Sequence, residues 1–135
     1  MPISPIYTKT IIIPESAIDE NGHVNNVTYV QWMQDIAVEH YASIGGIQAQ
    51  GPDATWVIRE HRIEYLLSAF GGEEVEIRTW VENIRKVRSL RKYEFVRKAD
   101  GKIVVKGETD WVFVDIETGA PRMIPQEVMD VFKSL

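Results

Sequence analysis

One segment limits what this chain can fold into more than any other. From Tyr29 onward, Val30, Met33, Ala37, Tyr41 and Ile44 recur at three- and four-residue spacing, with Tyr29, Trp32 and Ile36 beside them. That spacing predicts a helix, and it is the only long helical pattern in the chain. Its apolar stripe is too wide for a helix resting on a surface with one side in water, so other structure is expected to wrap most of it. Asn25 or Asn26 is a suitable N-cap, and Gly45-Gly46 ends the helix because glycine tolerates the positive φ of a C-terminal cap.

Almost everything else reads as strand. Ile6 to Pro14 is a β-branched run stopped by proline, and Thr55 to Tyr65 is a second run. Glu74 to Asn83 follows a Gly71-Gly72 turn and alternates, with Val75, Ile77, Thr79 and Val81 on one face. Val87 to Arg97 sets Tyr93 and Phe95 on one face, and Asp100-Gly101 closes a hairpin to the next strand. There Ile103, Val105, Thr109, Trp111 and Phe113 share a face, and Pro125 to Leu135 reads as a short terminal helix. Short turns between successive strands predict an antiparallel meander with the long helix in its concave side. The expectation is an α+β fold in which residues 1–135 form a single domain. One helix cannot cover both faces of such a sheet. Trp80, Leu90, Val96, Val112 and Val114 sit on the otherwise polar side, where a second copy of the chain is expected to cover some of them.

Composition narrows the function. The chain has no cysteine, which removes disulfides, thiolate nucleophiles and thiolate metal sites. Its net charge of −5 argues against general nucleic-acid binding. No apolar run approaches the ~18 residues of a membrane helix, and the N-terminal stretch lacks a signal-peptide pattern, so the cytoplasm is the expected location. His23, His40 and His61 show no close ligand spacing, so no metal is expected. Neither a G-x-S-x-G elbow, a P-loop nor a Rossmann glycine pattern is present. Positive charge is concentrated, however: Arg85, Lys86, Arg88, Arg91, Lys92, Arg97 and Lys98 are seven of the fifteen basic residues. The run is either a solvated strand face or a landing site for an anionic group.

The chemistry-bearing segment precedes the helix. Between Asp19 and Asn26 it gathers a carboxylate, the His23 imidazole and the carboxamides of Asn21, Asn25 and Asn26 within eight residues. A helix N-terminus offers unpaired N–H groups and the positive end of the dipole, which suit a developing oxyanion. A nearby carboxylate can act as general base toward water or attack a carbonyl carbon itself. Asp, Asn and Gly are also what any turn into a helix contains, because they bond their own backbone. Spacing alone leaves both readings open.

The pattern Asp19-x-Asn21-Gly22-His23-Val24-Asn25-Asn26-x-x-Tyr29, followed by Trp32, resembles the signature of hot-dog-fold acyl thioesterases. These include the 4-hydroxybenzoyl-CoA thioesterase-like enzymes and the acyl-ACP thioesterases. The resemblance spans nearly the whole chain. It implies a sheet of five or six strands wrapped around one long central helix, with no cofactor. It also implies hydrolysis of an acyl-CoA or an acyl carrier protein thioester to a carboxylic acid and a thiol. By the same resemblance Asp19 is the nucleophile or general base, and Asn26 offers its backbone N–H to the thioester carbonyl. Asn21 and His23 are further catalytic candidates, and Tyr29, Arg88, Ser89 and Arg91 are candidate substrate contacts. The resemblance implies a homodimer or homotetramer with sites between chains. Two positions depart from the pattern: Gln34, followed by Asp35, replaces a common helix glutamate, and Ser68 stands where the acyl-ACP branch is acidic. Two other functions remain open, a hot-dog hydratase or dehydratase and a non-catalytic acyl-thioester-binding protein.

Overall fold

A computed structural model describes residues 2–133. Five strands and three α-helices follow one another as β1 (Tyr7–Ile12), α1 (Asn26–Ser43), α2 (Gly46–Gln50), β2 (Ala54–Tyr65), β3 (Glu74–Arg85), β4 (Arg88–Arg97), β5 (Ile103–Asp115) and α3 (Gln126–Lys133). The expected long helix and all five strands form. The terminal helix forms as well, although its expected extension to Leu135 lies outside the described residues. Helix α2 is an addition to the expected pattern. Gly45, with φ of 83°, ends α1 and turns the chain directly into it.

The strands make one antiparallel sheet in the order β1-β3-β4-β5-β2. Strands β3, β4 and β5 are the expected meander, but β2 is not part of it. It pairs with β5, setting Trp56 opposite Phe113 and Tyr65 opposite Val105. The reason lies in the link 66–73, which is no tight hairpin turn. The Leu66 and Leu67 N–H groups both donate to the Val104 carbonyl, and the Arg97 guanidinium donates to the Ser68 carbonyl. These bonds carry the link across the ends of β5 and β4 before it enters β3.

Helix α1 lies on the concave face. Met33 and Ile36 are buried there with Val75, Ile77, Tyr93, Phe95 and Val105, the residues that strand alternation assigns to that face. Burying side chains of this size stabilises the fold by roughly 1.5–3 kcal/mol each. Gly107 permits the close approach, because a Cβ there would stand 3.0 Å from the Met33 thioether. Helix α3 closes the far end of the groove, where Val128 and Phe132 pack with Ala54, Val81, Phe113 and Ile124.

Two expectations about coverage are corrected. A single open sheet wraps only one side of α1, so Val27 and Val38 on the other side remain exposed. Val96 and Val114, two of the five apolar residues assigned to the polar side, are each 5% exposed and so already covered by their own chain.

Candidate active site

The loop before α1 is built as a small antiparallel turn. Ile18 and Val24 face each other as an isolated bridge. The Asp19 N–H donates to the His23 carbonyl at 3.0 Å, and the Gly22 N–H donates to the Asp19 carbonyl at 3.0 Å. Gly22 takes φ of 83°, a conformation costly for most side chains. The turn is fastened to the body by the Val24 N–H to the Ala69 carbonyl and the Asn25 N–H to the Ala17 carbonyl, each at 2.9 Å. Val24, 2% exposed, anchors it in the core.

This folding sets Asp19 beside the start of α1, since Ala17, two residues before it, bonds to Asn25 immediately before the helix. Asp19 is half-buried. Its Oδ1 accepts the Asn21 N–H at 2.9 Å, while its Oδ2 has no partner among the described residues. The Asn25 carboxamide caps the helix by accepting the Val27 N–H at 2.8 Å, and the Asn25 carbonyl accepts the Thr28 N–H at 3.0 Å. Asn25, rather than Asn26, is therefore the cap. The N–H of Asn26, the first helical residue, has no partner among the described residues. A free carboxylate oxygen and a free helix-terminal N–H thus share one end of the molecule.

The other candidates divide. His23 is half-buried, with Nδ1 3.5 Å from the Val24 carbonyl, and Asn21 is exposed on the turn. Tyr65 donates its hydroxyl to the Asn26 carbonyl at 3.4 Å, a contact that sequence reasoning did not anticipate. Tyr29 points inward. It is 3% exposed, and its ring meets Trp32 and Phe95 edge-on. Burial, with smaller contributions from Glu73 and Tyr65, pushes its hydroxyl up to about 12. Gln34 is half-buried, and the exposed Asp35 accepts a hydrogen bond from Gln31.

The basic run does not share one face, and the candidate contacts Arg88, Ser89 and Arg91 divide between the two sides of the sheet. Strand alternation sends Arg88 to the convex side, where its guanidinium pairs with Asp110 and is joined by Arg59 at 3.2 Å. Burial tends to push the Asp110 carboxyl up, but the two guanidinium groups outweigh it and hold the carboxyl below its ordinary value. Ser89 and Arg91 face the helix instead, each 3% exposed.

There Arg91 meets residues that no motif flagged. Its Nη1 donates to His40 Nδ1 at 2.9 Å and to Thr79 Oγ1 at 3.1 Å. His40 stacks on Tyr7 with ring centroids 5.1 Å apart. Burial, reinforced by the Arg91 charge, lowers the imidazole pKa to about 4, so His40 is neutral and acts as an acceptor. The signals were present in the sequence: His40 falls at helical spacing from Met33 and Ala37, and Arg91 shares parity with Tyr93 and Phe95. Arg91 and Ser89 also line a cavity of about 250 Å³ between α1, α2, β2 and α3.

A five-stranded antiparallel sheet with one long helix packed on its concave face defines a hot-dog protein. The model of the thioesterase-like superfamily matches residues 14–132, and the chain belongs to that superfamily. Among solved structures, a 1,4-dihydroxy-2-naphthoyl-CoA thioesterase from Synechocystis superposes with a TM-score of 0.84 at 14% identity, covering 97% of this chain and 98% of that one. A putative oleoyl thioesterase from Lactobacillus plantarum gives 0.88 at 17% identity, covering 98% of this chain and 52% of that one. A hypothetical protein from Staphylococcus aureus, solved in complex with CoA, gives 0.82 at 16% identity, covering 95% and 82%. At these identities the likeness is one of fold. No curated protein sequence matches. No helix among the described residues is long and apolar enough to cross a membrane.

Proposed function

We propose that this chain is an acyl thioesterase that hydrolyses an acyl-CoA or acyl carrier protein thioester, with Asp19 as its central residue. The observation that carries the reading is the pairing of a free Asp19 Oδ2 with a free Asn26 N–H at one helix N-terminus. The thioester carbonyl accepts the Asn26 N–H, and the positive end of α1 stabilises charge as it grows on that oxygen. As a base, Asp19 takes a proton from water while the hydroxyl oxygen adds to the carbonyl carbon. The tetrahedral intermediate then collapses, the C–S bond breaks, and the leaving thiolate takes up the proton. As a nucleophile, Asp19 attacks the carbon itself and the C–S bond breaks to expel the thiolate. Water then hydrolyses the mixed anhydride, freeing Asp19 and the carboxylic acid, whose proton passes to the thiolate. Both routes require the ionised carboxylate. Asn21 holds Asp19 through its backbone N–H, and His23 flanks it across the turn.

Asp19→Asn should keep the Asn21 contact and the fold while lowering kcat by about 10²-fold or more, read as thiol release from a panel of acyl-CoAs. Turnover close to that of the unaltered protein would overturn the mechanism. The same panel resolves the preferred acyl group.

The site is proposed to be completed by a second copy of the chain, in a homodimer or homotetramer. Two features support this: the exposed side of α1 at Val27 and Val38, and the unpaired edge of β2 with Val57 and Tyr65 exposed. Of the candidates Arg88, Ser89 and Arg91, only Arg88 reaches solvent, and the role of a phosphate contact for CoA is assigned to it.

A further inference from the structure

A cavity beside the C-terminal half of α1 is lined by none of Asp19, Asn21, His23 and Asn26. Its walls include Ala37, Val38, Ile47, Trp56, Trp111 and Phe132, an apolar and largely aromatic set. Against them stands one buried cation. Arg91 is 3% exposed, and its two hydrogen-bond acceptors, His40 and Thr79, are both uncharged. No carboxylate pairs with it among the described residues. The Phe132 ring, 5.9 Å from the guanidinium carbon, offsets only part of the missing countercharge. Burial lowers the guanidinium pKa to about 10, which leaves it charged at neutral pH.

A buried charge without a counter-ion costs several kcal/mol, and buried guanidinium groups are ordinarily paired. Arg91 carries five N–H donors, of which the protein uses two bonds, both from Nη1. Ser89, two residues earlier on the same strand face, adds a hydroxyl with no hydrogen-bond partner among the described residues. The Gln50 amide on the opposite wall is already spent on Tyr41 and the Ala54 carbonyl. The cavity is therefore an apolar slot with unspent donors at its polar end and no acid lining it.

We propose that this cavity binds the carboxylate of a small, mainly apolar organic acid, with Arg91 as counter-ion and Ser89 as a second donor. The volume, about 250 Å³, lies below the ~300–1,000 Å³ typical of drug-sized sites and suits a medium-chain or single-ring acid. Such a carboxylate has two sources. One is a free carboxylic acid, held as a product or effector. The other is a carboxylate at the far end of an acyl chain whose thioester lies at Asn26; this second source rests on the thioesterase reading. Ala37 stands about 16 Å along the helix from Asn26, at ~1.5 Å per residue, so only a long chain spans the distance.

The test begins with the unaltered protein. Trp56 and Trp111 line the cavity, so tryptophan fluorescence reports its occupation. Sodium octanoate should produce a saturable change, and octanol, equally long but uncharged, should bind about tenfold or more weakly. Arg91→Gln should remove that preference, and Ser89→Ala should weaken octanoate several-fold. Equal binding of octanoate and octanol, or no binding of octanoate at millimolar concentration, would overturn the proposal. Because that comparison needs no variant, it stands even if Arg91→Gln does not fold. The sources separate by hydrolysis of acyl-CoAs of increasing length, with and without a terminal carboxylate. A preference for the carboxylated series that Arg91→Gln abolishes identifies the acyl chain, whereas octanoate binding without that preference identifies a free acid. Failure to hydrolyse any thioester would sink the function proposed above and leave the binding result intact.

Discussion

Acid should destabilise this protein through His40. The ring is 3% exposed, stacked on Tyr7 from β1, near Phe132 from α3, and its Nδ1 is the acceptor for Arg91 from β4. A proton on Nδ1 would remove that acceptor and set two buried cations against each other. Burial first, then the Arg91 charge, lowers the imidazole from its ordinary 6.5 to about 4. Between those values the unfolded chain binds a proton that the folded chain refuses. The contribution is therefore complete above about pH 6.5 and is lost as pH falls toward about 4. Full conversion at 1.36 kcal/mol per pH unit would set a ceiling of roughly 3.4 kcal/mol. Solvent reaching the adjoining cavity reduces the expected loss to on the order of 2 kcal/mol. Urea unfolding at about pH 7.5 and about pH 4.5 measures it, with His40→Gln as the reference. Glutamine keeps an acceptor for Arg91 but cannot titrate. The unaltered protein should lose about 2 kcal/mol more than the variant over that range. Parallel losses would refute the reasoning, because the remaining carboxylates are common to both.

Three further outcomes are expected. Asn25→Ala removes the cap on the Val27 N–H and should cost about 1 kcal/mol, seen as a lower urea midpoint. Arg88→Ala breaks an exposed, solvent-screened pair with Asp110 and should leave the urea midpoint nearly unchanged. It should also raise KM for a full acyl-CoA, but not for the same acyl group on a short thiol, with kcat little altered. Light scattering at micromolar concentration should give at least a dimeric mass, and an active monomer would contradict the shared site.

Local pattern determined the pieces of this fold. The spacing of Met33, Ala37 and Tyr41 matches the helical period, and the alternation through Val75, Ile77, Thr79 and Val81 separates the buried face from the more open one. The turn and cap of the Asp19–Asn26 segment were legible for the same reason, since their bonds join residues close in sequence, from Asp19 to Thr28. Strand partners were not legible. Whether β2 pairs with β3 or β5 depends on where the link 66–73 finds hydrogen-bond partners, an acceptor at Val104 on β5 and a donor at Arg97 on β4, both distant in sequence. The buried Arg91–His40 bond joins residues 51 positions apart, and neither side chain announces the other. In the sequence Arg91 looked like one more member of a basic run, although its parity with Tyr93 and Phe95 already assigned it to the inner face. Charge in a sequence is a sum along the chain. Its meaning comes from the dielectric around each group, and only the packing of helix on sheet sets that.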